Sequence, residues 1–205
     1  MSGTIEESIQ IVVLLICFFA ALYRATATQS RKWALLTFFF GCWVLDDLYW
    51  MLCGIFTGDS PQLSVLADLS WYASYIFLYM LLRQIAPPKD AREKRILPWL
   101  CFVFTLSMAV FFMKESGGEI GNNLIYGSLM GLLMFSAVRR LMDRDAGCRT
   151  LCIVILVFCL LEYAMWTVSV FFKGDTLANP YYWFDFLLTV SFPAFLSAAK
   201  RTVAE

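Results

Sequence analysis

The chain has 205 residues, of which 60% are hydrophobic, and a mean hydropathy of +0.70. Water-soluble domains are only about 45–50% apolar, so this composition excludes an ordinary soluble domain and indicates a membrane protein. The 16 basic and 16 acidic residues balance, and there is no histidine. That absence excludes histidine-ligated haem, most catalytic zinc sites, and Ser-His-Asp or Cys-His catalysis.

Seven apolar segments follow one another along the chain, each long enough to cross a bilayer as a helix. They cover residues 9–27, 33–57, 62–84, 96–113, 122–141, 150–172 and 181–199. The first follows the acidic stretch MSGTIEES and has no basic leader or small-residue cleavage site, so we expect a retained span rather than a signal peptide. Residues 1–205 are therefore predicted to form a single all-α transmembrane domain.

Basic residues are distributed unequally between the two sides of the predicted bundle. Fourteen follow spans one, three, five and seven, whereas Lys114 and Lys173 alone follow spans four and six. Cytoplasmic loops carry an excess of lysine and arginine. This asymmetry predicts an N-terminus outside the cell and a cytoplasmic C-terminus, in a multi-pass protein of the cell membrane.

The two ends of the chain are similar to each other. A shift of 116 positions aligns Trp50 with Trp166, Asp46 with Glu162 and Gly58-Asp59 with Gly174-Asp175, and one extra residue aligns Asp68 with Asp185. We interpret residues 9–84 and 122–199 as parallel three-helix repeats, joined by the connector helix 96–113. Transporters built from parallel repeats place their sites at the repeat interface.

Five acidic residues lie inside the predicted spans: Asp46, Asp47, Asp68, Glu162 and Asp185. An ionisable side chain near the bilayer centre costs about 2.5–3.5 kcal/mol on insertion scales, so such residues are expected to face a water-filled interior. The helical rise predicts that Asp46, Asp47 and Glu162 lie near the midplane of the bilayer. Asp68 and Asp185 are predicted to lie nearer its outer surface. An outward-facing cavity is predicted.

Aromatic side chains accompany these acids at helical spacing. The candidate ligand-binding set is Asp46, Asp47, Trp50, Asp68, Trp71, Tyr72, Tyr75, Glu162, Trp166, Tyr182 and Asp185. Carboxylates beside aromatic faces attract a weakly hydrated organic cation. Clustered carboxyl groups in a low-dielectric cavity also repel one another when ionised, so some are expected to carry protons that a cation would displace.

Other interpretations of these residues remain open. Tyr182, at the outer end of span seven, is also typical of an interfacial aromatic belt. Adjacent helical residues point about 100° apart, so we assign Asp46 to the site, and Asp47 could instead bond a neighbouring helix. Glu162 and Asp185 could be protonated structural donors. Sodium or calcium would also fit an oxygen-rich site, although aromatic rings add nothing to its coordination.

The seven-span layout is similar to that of the sugar-carrier and KDEL-receptor group and to that of the microbial rhodopsins. The first group has a Pro-Gln pair within a helix, whereas Pro61-Gln62 here lies in a predicted external turn. The rhodopsins carry a lysine where this chain has Thr189, one turn after Asp185. The residues therefore support membership of neither family.

These patterns predict a proton-coupled transporter of a small, cationic solute. The alternative is a ligand-sensing receptor that signals to a separate cytoplasmic partner, and an intramembrane enzyme ranks last because catalytic groups are scarce. The expected partners are the lipid bilayer, a small cation or proton, and a cytoplasmic protein or a second copy of the chain. No cofactor, metal site or nucleic-acid partner is expected.

Overall fold

A computed structural model of the chain describes residues 2–57, 65–85, 96–115, 120–143, 146–172, 174 and 178–203. Seven α-helices make up nearly all of this part of the chain. They are α1 (Ser2–Thr28), α2 (Arg31–Thr57), α3 (Val65–Ile85), α4 (Leu97–Glu115), α5 (Ile120–Met142), α6 (Arg149–Phe171) and α7 (Pro180–Val203). One turn of 3₁₀ helix, Ala146–Cys148, precedes α6.

All seven helices are long and apolar enough to span a membrane, which confirms the prediction of an all-helical chain with seven candidate spans. Apolar side chains on their outer faces are exposed, among them Val12 and Ile16 of α1 at 55% and 63%. Such faces are stable in contact with lipid rather than water. Helix α1 begins at Ser2, seven residues before the predicted span.

Six of the helices form a closed ring. Contacts run from α1 to α2, α2 to α3, α3 to α5, α5 to α6, α6 to α7, and α7 back to α1. Helix α4 packs mainly on α5 and lies beside the ring. In this order α1 lies opposite α5, α2 opposite α6, and α3 opposite α7.

An aromatic core fills the middle of the ring. Its members are at most 2% exposed and come from the central parts of α2, α6 and α7: Phe39, Trp43, Phe158, Phe192 and Phe195. Their ring centroids lie 5.1–6.3 Å apart in edge-on and tilted pairs. Such arrangements are the favourable geometries for aromatic pairs. This core separates the two ends of the bundle.

Two glycines allow α4 and α5 to pack closely. A Cβ atom added at Gly131 would lie 2.7 Å from Oγ1 of Thr105 and 2.9 Å from a ring carbon of Phe102. At Gly127 the nearest atoms would be 3.4 Å away, an ordinary van der Waals distance. Both small residues therefore serve helix packing, but only Gly131 has no room for a larger side chain.

Gly131→Ala is expected to lower the stability of the folded protein by about 1–3 kcal/mol, because the added methyl group overpacks the α4–α5 contact. Gly127→Ala provides the matched control and should be close to neutral. Thermal unfolding of both variants in the same detergent measures the difference. Equal midpoints for the two variants would contradict the packing seen at Gly131.

Candidate functional site

A cavity of about 720 Å³ occupies one end of the ring. Its walls come from the first turns of α1, α3, α5 and α7 and from the later halves of α2, α4 and α6. Nine of the described basic residues lie at the opposite end: Arg24, Arg31, Lys32, Arg83, Arg139, Arg140, Arg149, Lys200 and Arg201. The cavity thus lies at the end of the bundle that is poor in basic side chains.

Six carboxylate residues line the cavity: Glu6, Glu7, Asp46, Asp47, Asp68 and Asp185. Among the described residues, no lysine or arginine lines it. The walls between these acids are largely aromatic, from Trp43, Trp50, Trp71, Phe112, Tyr126, Trp166, Tyr181 and Tyr182. The cavity therefore combines negative charge with ring faces.

Eight of the eleven candidate residues from the sequence lie in this lining: Asp46, Asp47, Trp50, Asp68, Trp71, Trp166, Tyr182 and Asp185. The other three pack beside it. Tyr72 donates a hydrogen bond to the carbonyl of Asn122 at 3.5 Å, and Tyr75 is 1% exposed against the Tyr126 ring. Glu162 is completely buried, and the Tyr126 hydroxyl donates to its Oε2 at 3.4 Å.

Two of the acids are held by amides from the neighbouring helix. At the α3–α5 junction, Nδ2 of Asn122 donates to Oδ1 of Asp68 at 3.2 Å. At the α7–α1 junction, the Gln10 amide nitrogen donates to both oxygens of Asp185, at 3.1 and 3.2 Å, in the amide orientation that satisfies both side chains. These bonds orient both carboxylates and leave acceptor capacity on each, because a carboxylate offers about four lone-pair sites.

The adjacent residues Asp46 and Asp47 both line the cavity, although they point in different directions from α2. The charge of Asp46 interacts with that of Asp68 on α3, whereas the charge of Asp47 interacts with those of Asp46, Asp185 and Glu7. Both directions reach the cavity because it extends along both sides of α2. One buried oxygen of each, Oδ1 of Asp46 and Oδ2 of Asp47, accepts no hydrogen bond from any described residue.

Tryptophan rings form the wall between these carboxylates. Trp71 is in edge-on contact with Trp43 at 5.9 Å and with Trp166 at 5.1 Å between ring centroids. The indole nitrogens of Trp43 and Trp71 are buried and bond to no acceptor in the described part of the chain. A buried donor without a partner has lost its bonds to water, so polar groups inside this wall are suited to a bound molecule or water.

Sequence reasoning missed three lining residues on α1, Glu6, Glu7 and Gln10, and three on α5, Asn122, Asn123 and Tyr126. Each residue of the first set is separated from its counterpart in the second by 116 positions. The same separation relates Trp50 to Trp166, and a separation of 117 relates Asp68 to Asp185. The 116-residue shift between the two halves of the sequence was therefore a usable signal. Applied to the α1 residues, it leads directly to the three α5 residues.

The acids are distributed around the cavity rather than gathered at one point. Among the described residues, no group of three or more carboxylate or thiol side chains is close enough to hold a metal ion. Spaced carboxylates with intervening rings instead suit a cation of larger size and lower charge density. The chain matches no protein-family model, and comparisons with curated proteins and with solved structures find no similar protein.

Proposed function

We propose that this protein binds a small organic cation in the acidic, aromatic cavity and exchanges it for protons across the membrane. The observation that supports this proposal is the lining itself: six carboxylate residues and eight aromatic residues around one cavity of about 720 Å³. That volume is in the range of small-molecule sites. An ammonium group gains both from the carboxylate charge and from the ring quadrupoles.

Proton exchange follows from the number of acids. Like charges in a cavity of low dielectric repel strongly, and the lining contributes no basic side chain among the described residues. Protons can relieve this repulsion when the cavity is empty, and a bound cation can relieve it in their place. Cation and proton binding are then competitive, which is the thermodynamic requirement for exchange.

The direction of the cavity follows from the charge asymmetry. The basic end of the bundle is assigned to the cytoplasm by the positive-inside rule, so the cavity faces the exterior and the N-terminus lies outside. Helix α7 carries Pro193 between Phe192 and Phe195 of the aromatic core. A proline removes one backbone hydrogen bond within a helix, which makes this the natural position for a movement that opens the inner side.

A duplication is part of the proposal. The paired lining positions 6/122, 7/123, 10/126, 50/166 and 68/185 support it. So does the ring order, in which α1, α2 and α3 lie opposite α5, α6 and α7. An exchange of the two halves leaves that order unchanged, with α4 as the connector. Parallel repeats of this kind surround a central site.

Ligand sensing is the second candidate function, and the aromatic core favours it. The five core rings pack closely between the cavity and the basic end, so the cavity is closed on that side. A receptor needs only small helix shifts to pass ligand occupancy to a cytoplasmic partner or a second copy, whereas a carrier must open this core. Binding without flux is the result that separates the two functions.

Flux is tested in proteoliposomes whose interior is more acidic than the exterior. We expect this gradient to accelerate uptake of a labelled quaternary ammonium, choline or the bis-quaternary hexamethonium, because outward proton flow drives cation entry. A quaternary cation keeps its charge and is not trapped by protonation, as a simple amine would be. A protonophore should abolish the acceleration. Saturable binding without uptake would assign the protein to sensing instead.

A further inference from the structure

The two amide-held carboxylates lie on opposite sides of the cavity. Asp68 belongs to α3 and Asp185 to α7, and these helices are three steps apart in either direction around the ring. In a regular ring of six helices packed 8–10 Å apart, opposite axes are roughly 16–20 Å from each other. Both residues line the same cavity. The two carboxylates therefore approach the cavity from opposite walls.

The two sites share one feature, although at Asp185 the side chain of Glu6 is a further hydrogen-bond partner. Each carboxylate accepts hydrogen bonds from an amide on the next helix, Asn122 for Asp68 and Gln10 for Asp185. The amides hold the carboxylates in place before a ligand arrives, so little ordering is needed on binding. Each carboxylate keeps lone pairs for an ammonium donor. The cavity thus presents two prepared anionic sites that face each other.

The space between the two sites is suited to a chain that is apolar along its length. Trp71 and Leu188 each lie three residues, nearly one helical turn, after Asp68 and Asp185, respectively, and both line the cavity. Trp43 forms part of the wall between them. Asp46 adds negative charge to this lining. It is 5% exposed, and one of its oxygens has no partner among the described residues. That oxygen indicates a missing cationic or polar donor.

We propose that the ligand is a linear diamine or longer polyamine, with one ammonium at Asp68 and another at Asp185. This inference rests on the proposed function and specifies its ligand class. The methylene chain lies along Trp71 and Trp43, and an internal ammonium of a longer polyamine lies beside Asp46. Two charges on one molecule neutralise both sites, whereas a monoamine leaves one of them uncompensated.

The test compares 1,5-diaminopentane with pentylamine, which has the same chain and one ammonium group. Titration calorimetry on the purified full chain in detergent gives both affinities. We expect the diamine to bind at least tenfold more tightly. Asp68→Asn and Asp185→Asn should each remove that advantage, so that the diamine and pentylamine affinities of the variant agree within about threefold. Glu115→Gln, an exposed acid on α4 at the same end of the bundle, is the control that should preserve it.

The outcomes separate this inference from the function on which it rests. Equal affinities of the two amines for the unsubstituted protein overturn the diamine assignment and leave a site for single cations. If neither amine binds, the organic-cation function itself is overturned. The comparison in the unsubstituted protein requires no variant to fold, so a poorly expressed Asp68→Asn does not prevent a decision. A diamine advantage that survives both substitutions overturns the placement at these two residues.

Discussion

Asp46→Asn is expected to weaken organic-cation binding at least 30-fold and to abolish gradient-driven uptake. Asp46 is 5% exposed, lines the cavity and has an oxygen without a partner among the described residues. Loss of one partner from a buried charge pair costs about 2–5 kcal/mol, and 2 kcal/mol corresponds to about 30-fold in affinity. Titration calorimetry and the proteoliposome assay measure the two effects.

The same substitution distinguishes a binding role from a structural one. Asparagine has nearly the same shape as aspartate and removes repulsion with Asp68, so the empty protein should unfold at the same temperature or higher. We also expect Glu162→Gln to abolish uptake. Glu162 lies on α6, opposite Asp46 on α2, and its buried carboxyl group accepts a hydrogen bond from Tyr126, which lines the cavity. Glu115→Gln is the matched control outside the cavity. Normal binding and uptake in Asp46→Asn would contradict the proposed site.

Phe158→Ala is expected to destabilise the protein by about 3 kcal/mol, the largest effect that we predict for a single core residue. The side chain is completely buried, and its ring lies within 5.5–6.2 Å of five others: Phe39, Trp43, Tyr75, Phe192 and Phe195. In a membrane the main loss is van der Waals contact, because lipid is as apolar as the core. Thermal unfolding in detergent gives the change.

Val157→Ala provides the control for this prediction on the preceding residue. Val157 is 46% exposed on the outer face of α6, and substitutions at such positions usually change stability by no more than about 0.5 kcal/mol. A similar loss of stability in both variants would mean that the aromatic core is no more tightly packed than the lipid-facing surface. The closed inner side of the cavity would then need another explanation.

The seven helices could be predicted from the sequence because a run of about 20 apolar residues has few other structures available in a membrane. The segment 150–172, for example, differs from α6 by one residue at each end. The acids of α2, α3 and α7 were also identifiable, since ionisable groups within spans are costly and therefore face the interior. For these residues, the apolar composition of the surrounding segment was enough to predict that the acid faces the interior of the bundle.

The remaining part of the site depends on which helices are neighbours. Glu6 and Glu7 precede the first apolar segment, so hydropathy gave no reason to place them in the cavity. Asn122 is uncharged and costs little to insert, although it holds Asp68. The contact between Gln10 and Asp185 joins the two ends of the chain, and it exists because α1 closes the ring against α7. Segment composition carries no information about that closure.

The most direct test of the cation site compares 1,5-diaminopentane with 1,5-pentanediol, which has the same length and hydrogen-bonding ends but no charge. Titration calorimetry on the purified full chain should show saturable binding of the diamine, with affinity that falls as salt rises, and no binding of the diol. Charge attraction by the lining carboxylates is the reason for both expectations. Equal binding of the two compounds, or binding of neither, would contradict a cavity built for organic cations.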